Sequence, residues 1–302
     1  MDAVVPAQMP VTFLAMFVVT RSPQKAGLRP RRQLVAAVTV ALVCATASIG
    51  STAHAEETDL RYDWRVDGAV TAAAFAFWGG TQLFESRLAA TNCRWCNPGS
   101  VDASVQSALR WNDSSAANLA SNLGAYVLVP LTTLGLLSLD AQREGRLAEL
   151  PGDGLVIAEA VALNGALTQI VKFAVGRERP FVNALPADQK PLTARPADNN
   201  VSFYSSHTSF AFSLAVSTGT VASMRHSRWA PAIWAAGLVS AAAVGYLRIA
   251  ADQHYLTDVL VGAAAGSAIG FAVPYGFHRE PGALAVSPVP GGGAMMTVTA
   301  HL

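Results

Sequence analysis

The chain has 302 residues, of which 52% are hydrophobic and only 14% are charged. Soluble domains ordinarily carry about 25% charged residues, so this composition indicates a membrane-embedded protein or an unusually apolar helical bundle. The formal net charge is +1 and no basic block lies beyond the N-terminus, so the charge gives no case for nucleic-acid binding.

The first 55 residues have the pattern of a leader that directs export. A group of arginines ending at Arg32 precedes a short apolar core over residues 34–49, and "STAHA" ends at Ala55 as a small-x-small cleavage site. The apolar core is too short for a comfortable membrane span. We therefore predict that residues 1–55 comprise an N-terminal extension and a cleavable signal peptide, and that the protein is exported across an inner membrane.

Two cysteines remain after the predicted cleavage, Cys93 and Cys96 in "TNCRWCNPGS". In an oxidising compartment this spacing predicts a disulfide that closes a small ring in a loop. A zinc site would need two further ligands, and no histidine or second cysteine pair lies nearby. A thioredoxin-type redox role would need a βαβ setting, which the surrounding sequence lacks.

Beyond residue 60, apolar segments alternate with polar loops. Six segments approach the length of a membrane-spanning helix, about 20 residues. They cover residues 66–83, 119–139, 155–176, 207–224, 229–247 and 257–277. Alanine, leucine and glycine dominate them, and the period-two alternation of strands is missing. We therefore predict an all-α fold, an antiparallel bundle of about six apolar helices.

Glycine spacing indicates how the last helix packs. Gly262, Gly266 and Gly270 recur at four-residue intervals, which leaves one face bare enough for close contact with another helix.

The helical domain is expected to cover residues 56–279, and residues 280–302 are expected to form an irregular tail.

The third segment ends in two cations, within "QIVKFAVGRERPF". Lys172 and Arg179 are seven residues apart, or two helical turns, so a continuous helix would point both in the same direction. Pro180 then disfavours further helix. Cations at a helix end often serve only to cap carbonyls. This motif therefore indicates a functional site only in combination with the two motifs that follow it.

The fourth segment opens with "SFYSSHTSF". The hydroxyls of Ser205 and Ser206, the backbone N–H groups of a helix start and His207 gather there. Helix N-termini bind anions, although serine at such a place can also be a simple N-cap.

The sixth segment begins with "YLRIAADQHYLTDVLVG". Arg248 leads, and His254 and Asp258 follow four residues apart. On a helix these two would lie on one face, so we predict that Asp258 accepts a hydrogen bond from the His254 ring and fixes its tautomer.

In an antiparallel bundle the three motifs meet at one end, where we place the active site. Cations and helix N–H groups would hold a tetrahedral oxyanion such as phosphate. Two histidines could divide the chemistry between attack and proton donation, with no metal or other cofactor.

The three motifs, in this order, resemble those of the type 2 phosphatidic acid phosphatase superfamily, which includes bacterial acid phosphatases, lipid phosphatases and vanadium haloperoxidases. The resemblance covers residues 60–278. It implies that His254 is the nucleophile and forms a phosphohistidine, that Asp258 orients it, and that His207 is the general acid. It further implies a set of groups that hold the phosphate oxygens: Lys172, Arg179, Ser205, Ser206 and Arg248.

The chain departs from the family pattern at three positions. Tyr204 and Ser206 stand where the family usually has proline and glycine, and Leu247 replaces a serine. These departures keep open a non-catalytic envelope protein with a decayed site, and the motifs alone do not separate a phosphatase from a vanadate-dependent haloperoxidase.

The resemblance and the composition together predict a phosphatase acting on a phosphomonoester or a diphosphate. The apolar bundle favours a lipid phosphate or polyprenyl diphosphate, although a small phosphomonoester stays open. We expect a membrane partner, no nucleic acid, and a location in the periplasm or inner membrane with the active site facing the periplasm.

Overall fold

A computed structural model describes residues 60–279 and the backbone of residues 284–288 and 294–298. The predicted signal peptide, with its cleavage site at Ala55, lies outside the described residues. Ten α-helices occur in the described part of the chain. They are α1 (Val66–Leu83), α2 (Glu85–Leu88), α3 (Ser100–Leu109), α4 (Ser114–Leu123), α5 (Val129–Arg143), α6 (Leu150–Val175), α7 (Pro180–Asn183), α8 (Ser206–Met224), α9 (Ala230–Ala250) and α10 (Leu256–Ala272).

Shorter elements connect or extend these helices. Single π-helical turns join α4 to α5 and extend α10, and three 3₁₀ turns lie in the loops. They cover Gly124–Leu128, Val273–Phe277, Leu147–Glu149, Lys190–Leu192 and Pro196–Asn200. The C-terminal tail, predicted to be irregular, contains an antiparallel hairpin of β1 (Leu284–Pro288) and β2 (Ala294–Val298).

The all-α prediction is confirmed, because the six apolar segments correspond to α1, the continuous α4–α5 rod, α6, α8, α9 and α10.

Four helical stretches in the described part of the chain are long and apolar enough to cross a membrane. They are Ser114–Arg143, Leu147–Val175, Ala230–Ala250 and Leu256–Phe277. α1 and α8 are not among these stretches. The prediction that each of the six segments is long and apolar enough to span a membrane therefore holds for four of them.

α8 is the central helix, and most of its side chains are buried against α6, α9 and α10. The predicted glycine face of α10 lies directly on its backbone. A Cβ atom added to Gly262 would lie 2.8 Å from the carbonyl oxygen of Ser205, and one added to Gly270 would lie 2.6 Å from that of Ser213. Gly266, between them, is equally closely packed. The predicted close packing is therefore confirmed, since any side chain there would force the two helices apart.

α1 runs alongside α6 in the same direction. Tyr62, just before α1, packs against Gly152 near the start of α6, and Trp78 of α1 packs against Gly165 farther along α6. α1 therefore starts at the end of the bundle where α6 starts. At the opposite end, α6 and α9 finish while α8 and α10 begin.

Candidate active site

A cavity of about 1510 Å³ opens at the end of the bundle where α6 and α9 finish. Its wall includes residues from all three motifs: Lys172, Arg179, Ser206, His207, Arg248 and His254. The long connection between α7 and α8 forms another part of the wall. The structure therefore brings the three motifs together, as the antiparallel arrangement predicts.

The two cations of the first motif reach the cavity by different routes. Lys172 lies in the last turn of α6, which ends at Gly176 in a left-handed conformation with φ of 60°. This is a common way to stop a helix. Arg179 follows in extended backbone, with φ −74° and ψ 152°. The prediction that both lie on one face of a continuous helix is therefore wrong, because the helix ends between them.

Of the three motif cations that line the cavity, two have neutral hydrogen-bond partners. Lys172 Nζ donates to the backbone carbonyl of Val201. Arg248 Nη1 donates to Asn118 Oδ1 at 2.8 Å and to Ser121 Oγ at 3.1 Å. Arg248 Nε is buried and has no hydrogen-bond partner among the described residues. Buried cations whose hydrogen-bond partners are neutral are costly, so an anion in this cavity would be favoured.

Arg179, the third of these motif cations, has a carboxylate partner. Its Nη2 lies 2.5 Å from Asp198 Oδ1, and its Nε donates to the Asp198 carbonyl at 2.8 Å. Burial raises the pKa of Asp198, but the charges of Arg179 and Lys172 outweigh that effect and hold its pKa below the usual value. Asp198 therefore stays ionised and fixes the Arg179 guanidinium at the cavity wall.

His254 lies in the loop before α10, because the helix begins at Leu256 with Tyr255 as its N-cap. The prediction that His254 and Asp258 share one helix face is therefore wrong. His254 Nε2 lies 3.3 Å from Arg179 Nη1. Arginine can only donate, so Nε2 accepts and the ring proton of neutral His254 is on Nδ1.

The predicted hydrogen bond between His254 and Asp258 is also absent. His254 Nδ1 lies 3.7 Å from Asp258 Oδ2, beyond hydrogen-bond distance, and it has no other partner among the described residues. Burial, together with the charges of Arg179 and Arg248, lowers the pKa of His254 well below its usual value. His254 is therefore a neutral imidazole with the Nε2 lone pair at the cavity.

Asp258 is fixed by three other groups. Its Oδ2 accepts from Ser202 Oγ at 2.6 Å and from the Tyr255 backbone N–H at 2.9 Å, the latter being part of a capping box at the start of α10. Its Oδ1 lies 2.5 Å from Arg177 Nη1. Asp258 is 0% exposed and is not part of the cavity wall, so it lies behind His254 as a fixed negative charge.

Arg177 joins Asp258 to the loop that contains the two cysteines. Its guanidinium also binds Asp102 at 2.6 Å, and the Trp95 ring stacks on it at 3.9 Å. Cys93 and Cys96 on either side of Trp95 form a disulfide. The disulfide ring therefore presents an aromatic surface to the cation that holds Asp258.

His207 lies in the first turn of α8, where its Nε2 is 2.8 Å from Asn122 Oδ1 of α4. Ser206 is the first residue of that helix and, like His207, lines the cavity. Ser205 is the N-cap, fully buried behind the wall, with its Oγ 2.9 Å from Thr208 Oγ1. Ser205 Oγ is thus engaged in capping α8, whereas Ser206 and His207 are placed to meet a bound molecule.

Sequence reasoning missed four residues that position this site: Arg177, Asp198, Asn118 and Asn122. Asn118 and Asn122 are amide side chains four residues apart on α4, which was a usable signal. Asp198 carried no comparable signal, because it lies in a long irregular loop.

Two sequence comparisons with known proteins agree with the motifs at this cavity. Residues 153–281 match the sequence model of the PAP2 superfamily. The undecaprenyl-diphosphatase of Sulfolobus acidocaldarius is 29% identical over 147 residues, which cover 48% of this chain and 61% of that protein. Among solved structures, a transmembrane PAP2-type phosphatidylglycerolphosphate phosphatase from Bacillus subtilis aligns over 70% of this chain and 94% of its own, with a TM-score of 0.42 and 18% identity.

The family match includes all three motifs, from Lys172 to Asp258, and the part of the cavity wall that they form. Residues 153–281 therefore contain a PAP2 superfamily domain.

Proposed function

We propose that the chain is a phosphatase that hydrolyses a phosphomonoester or a diphosphate through a phosphohistidine intermediate. The observation that carries this proposal is the cavity in which Lys172, Arg179 and Arg248, each at most 5% exposed, surround two histidines. Such a cavity binds a phosphoryl group and stabilises the charge that develops on its oxygens during transfer.

In the first step, His254 Nε2 attacks phosphorus while the bond from phosphorus to the leaving oxygen breaks. The Nε2 lone pair faces the cavity, where Arg179 is its present partner. His207 donates a proton to the leaving oxygen. Asp258, 3.7 Å from Nδ1, offsets the positive charge that grows on the imidazole ring.

In the second step, a water molecule attacks phosphorus and the bond to His254 Nε2 breaks. His207, neutral after the first step, accepts a proton from this water, so inorganic phosphate leaves and both histidines return to their starting states. The cations and the N-terminus of α8 can stabilise each step, so we expect activity without added metal.

A lipid-linked phosphate is the substrate class that the surface supports. Large apolar side chains are exposed on several of the long helices, and lipid tails would cover them. They include Leu131, Ile170, Val239, Leu260 and Phe271. The similar archaeal protein carries the name undecaprenyl-diphosphatase, which favours a polyprenyl diphosphate among the lipid candidates.

We propose that the cavity faces the periplasm. The short loop between α8 and α9, at the end of the bundle opposite the cavity, contains Arg225 and Arg228, and arginines in short loops favour the cytoplasmic side. α1 also starts at that opposite end. A periplasmic cavity and cleavage after Ala55 are therefore compatible only if the bundle is held against the outer face of the membrane without spanning it.

Cysteine labelling in intact cells tests this arrangement. Asp188→Cys and Arg228→Cys place exposed thiols near the cavity end and at the opposite end. A membrane-impermeant maleimide should label position 188 alone in a spanning bundle with an outward cavity, and both positions in a bundle on the outer face. Labelling of position 228 alone would refute the periplasmic orientation.

Phosphate release from a panel of lipid and soluble substrates, in EDTA, tests the activity itself. We expect release to survive EDTA and to be inhibited by vanadate, which resembles the five-coordinate transition state. Activity that requires added zinc or magnesium would refute the proposed chemistry. Bromide oxidation in the presence of vanadate, without phosphate release, would identify a haloperoxidase, and neither activity would indicate a decayed site.

A further inference from the structure

A second group of ionisable side chains lies at the other end of the bundle. Asp67 of α1, Glu159 of α6 and His278, just after α10, each place one donor atom within 4.8 Å of the other two. Glu159 and His278 are 7% and 3% exposed. Within the described residues, this is the one group of three such side chains with metal-ligand spacing.

The hydrogen bonds of His278 restrict where its proton can be. His278 Nδ1 lies 2.8 Å from the carbonyl oxygen of Arg61, which only accepts, so Nδ1 carries the proton. In the neutral ring, Nε2 then has only a lone pair, yet it lies 3.2 Å from Glu159 Oε2. Two acceptors face each other in a buried place, so a proton or a metal ion must lie between them: a second ring proton, a proton on the Glu159 carboxyl, or a metal ion.

The distance between the two acceptors leaves room for a metal ion. A charge-assisted N–H···O bond between an imidazolium and a carboxylate is ordinarily about 2.7–2.9 Å long. Two ligands of a tetrahedral zinc ion, each about 2.0–2.1 Å from the metal, lie roughly 3.3 Å from each other. The 3.2 Å between His278 Nε2 and Glu159 Oε2 is close to the second distance and stands at the upper limit of an ordinary hydrogen bond.

The surroundings also resemble those of metal ligands. A ligating histidine commonly donates its other N–H to a backbone carbonyl, as His278 does to Arg61. Asp67 is held by the backbone N–H of Asp63, 2.7 Å from its Oδ2. Asp67, Glu159 and His278 also line a second cavity of about 1050 Å³, which supplies an entry path and room for a water ligand.

We propose that Asp67, Glu159 and His278 bind a divalent transition-metal ion, with zinc as the best fit to one imidazole and two carboxylates. The ion would hold the start of α1, the middle of α6 and the segment after α10 together. Glu159 and Lys172 are separated by about 20 Å along α6, and the two cavities share no lining residue. The ion therefore stabilises the fold and takes no part in phosphoryl transfer.

The test uses the full chain, purified in detergent without a polyhistidine tag, stripped with EDTA and then dialysed against zinc. We expect about one zinc ion per chain by elemental analysis, and a rise in Tm of roughly 5 °C or more at saturating zinc. Magnesium should give little or no rise. Cobalt should produce the visible absorption of a low-coordinate ion, whereas the rate of phosphate release at low temperature should be the same with and without EDTA.

Glu159→Gln and His278→Ala should lose the bound zinc and the zinc-dependent rise in Tm, while Asp188→Asn, an exposed carboxylate in a loop, should keep both. If His278→Ala fails to fold, the proposal is tested by zinc binding to Glu159→Gln and by the number of zinc ions per chain in the parent. No stoichiometric zinc in the parent, or equal zinc binding by Glu159→Gln, would overturn the proposal and leave His278 as a protonated partner of Glu159. Because phosphate release is measured separately, this failure is distinguishable from failure of the phosphatase proposal.

Discussion

Arg177 and Asp258 form a buried ion pair in which Nη1 and Oδ1 are 2.5 Å apart and the two side chains are 1% and 0% exposed. The same guanidinium pairs with Asp102. The negative charge behind His254 is therefore held in place by a residue that does not line the cavity.

Arg177→Met should destabilise the chain by about 3–5 kcal/mol, because it leaves two buried carboxylates without a counter-charge. Arg177→Lys keeps the positive charge but cannot bridge both carboxylates in the same way. Its loss of stability should therefore be smaller than that of Arg177→Met. Thermal unfolding measures both variants, and phosphate release should fall with them. Parent-like stability of Arg177→Met would show that the ion pair is not needed for the fold.

Asn122→Ala should lower kcat about 10- to 100-fold, because His207 loses the acceptor that orients its ring. Asn122→Asp keeps an acceptor at the same place and should retain more activity than Asn122→Ala. Asn112→Ala, in an exposed loop, is the matched control and should behave like the parent. Equal activity of Asn122→Ala and Asn112→Ala would remove Asn122 from the site.

Ser206→Gly should change activity by no more than about two- to three-fold. Ser206 is the first residue of α8 and its φ is not positive, so glycine has no backbone strain to relieve. The family's glycine at this position is therefore unnecessary for the backbone of this chain. A tenfold gain in kcat/KM for Ser206→Gly would show that the hydroxyl obstructs the phosphate.

The pH dependence of kcat/KM should report the low pKa of His254. The reactive form is the neutral ring, and a pKa below the usual value of about 6.5 keeps the ring neutral in mild acid. The acid limb should therefore lie well below pH 6, after correction for ionisation of the substrate. In Arg179→Gln the residual activity should show this limb at higher pH, because a charge that lowers the pKa is gone. A limb near pH 6.5 that does not move in Arg179→Gln would contradict this assignment.

Much of the fold could be predicted from the sequence, because hydrophobic length and glycine spacing act locally. The α6 and α10 helices and the face around Gly266 follow from those patterns. The convergence of Lys172, His207 and His254 at one cavity follows from simple antiparallel connectivity.

Helix ends and loop contacts could not be predicted in the same way. Spacing placed Arg179 and His254 on helices, but α6 stops at Gly176 and α10 starts only at Leu256. The partner of Asp258 is Arg177, eighty-one residues away along the chain, and a pairing at that separation depends on tertiary packing.

Trapping of the phosphoenzyme tests the central claim most directly. The parent and His254→Ala are mixed with a labelled phosphate substrate, quenched within a turnover, and the site of the label is mapped by mass spectrometry. We predict acid-labile, base-stable label on His254 in the parent, with no label and no phosphate release in His254→Ala. Label on a serine or on His207, or normal turnover by His254→Ala, would contradict the account.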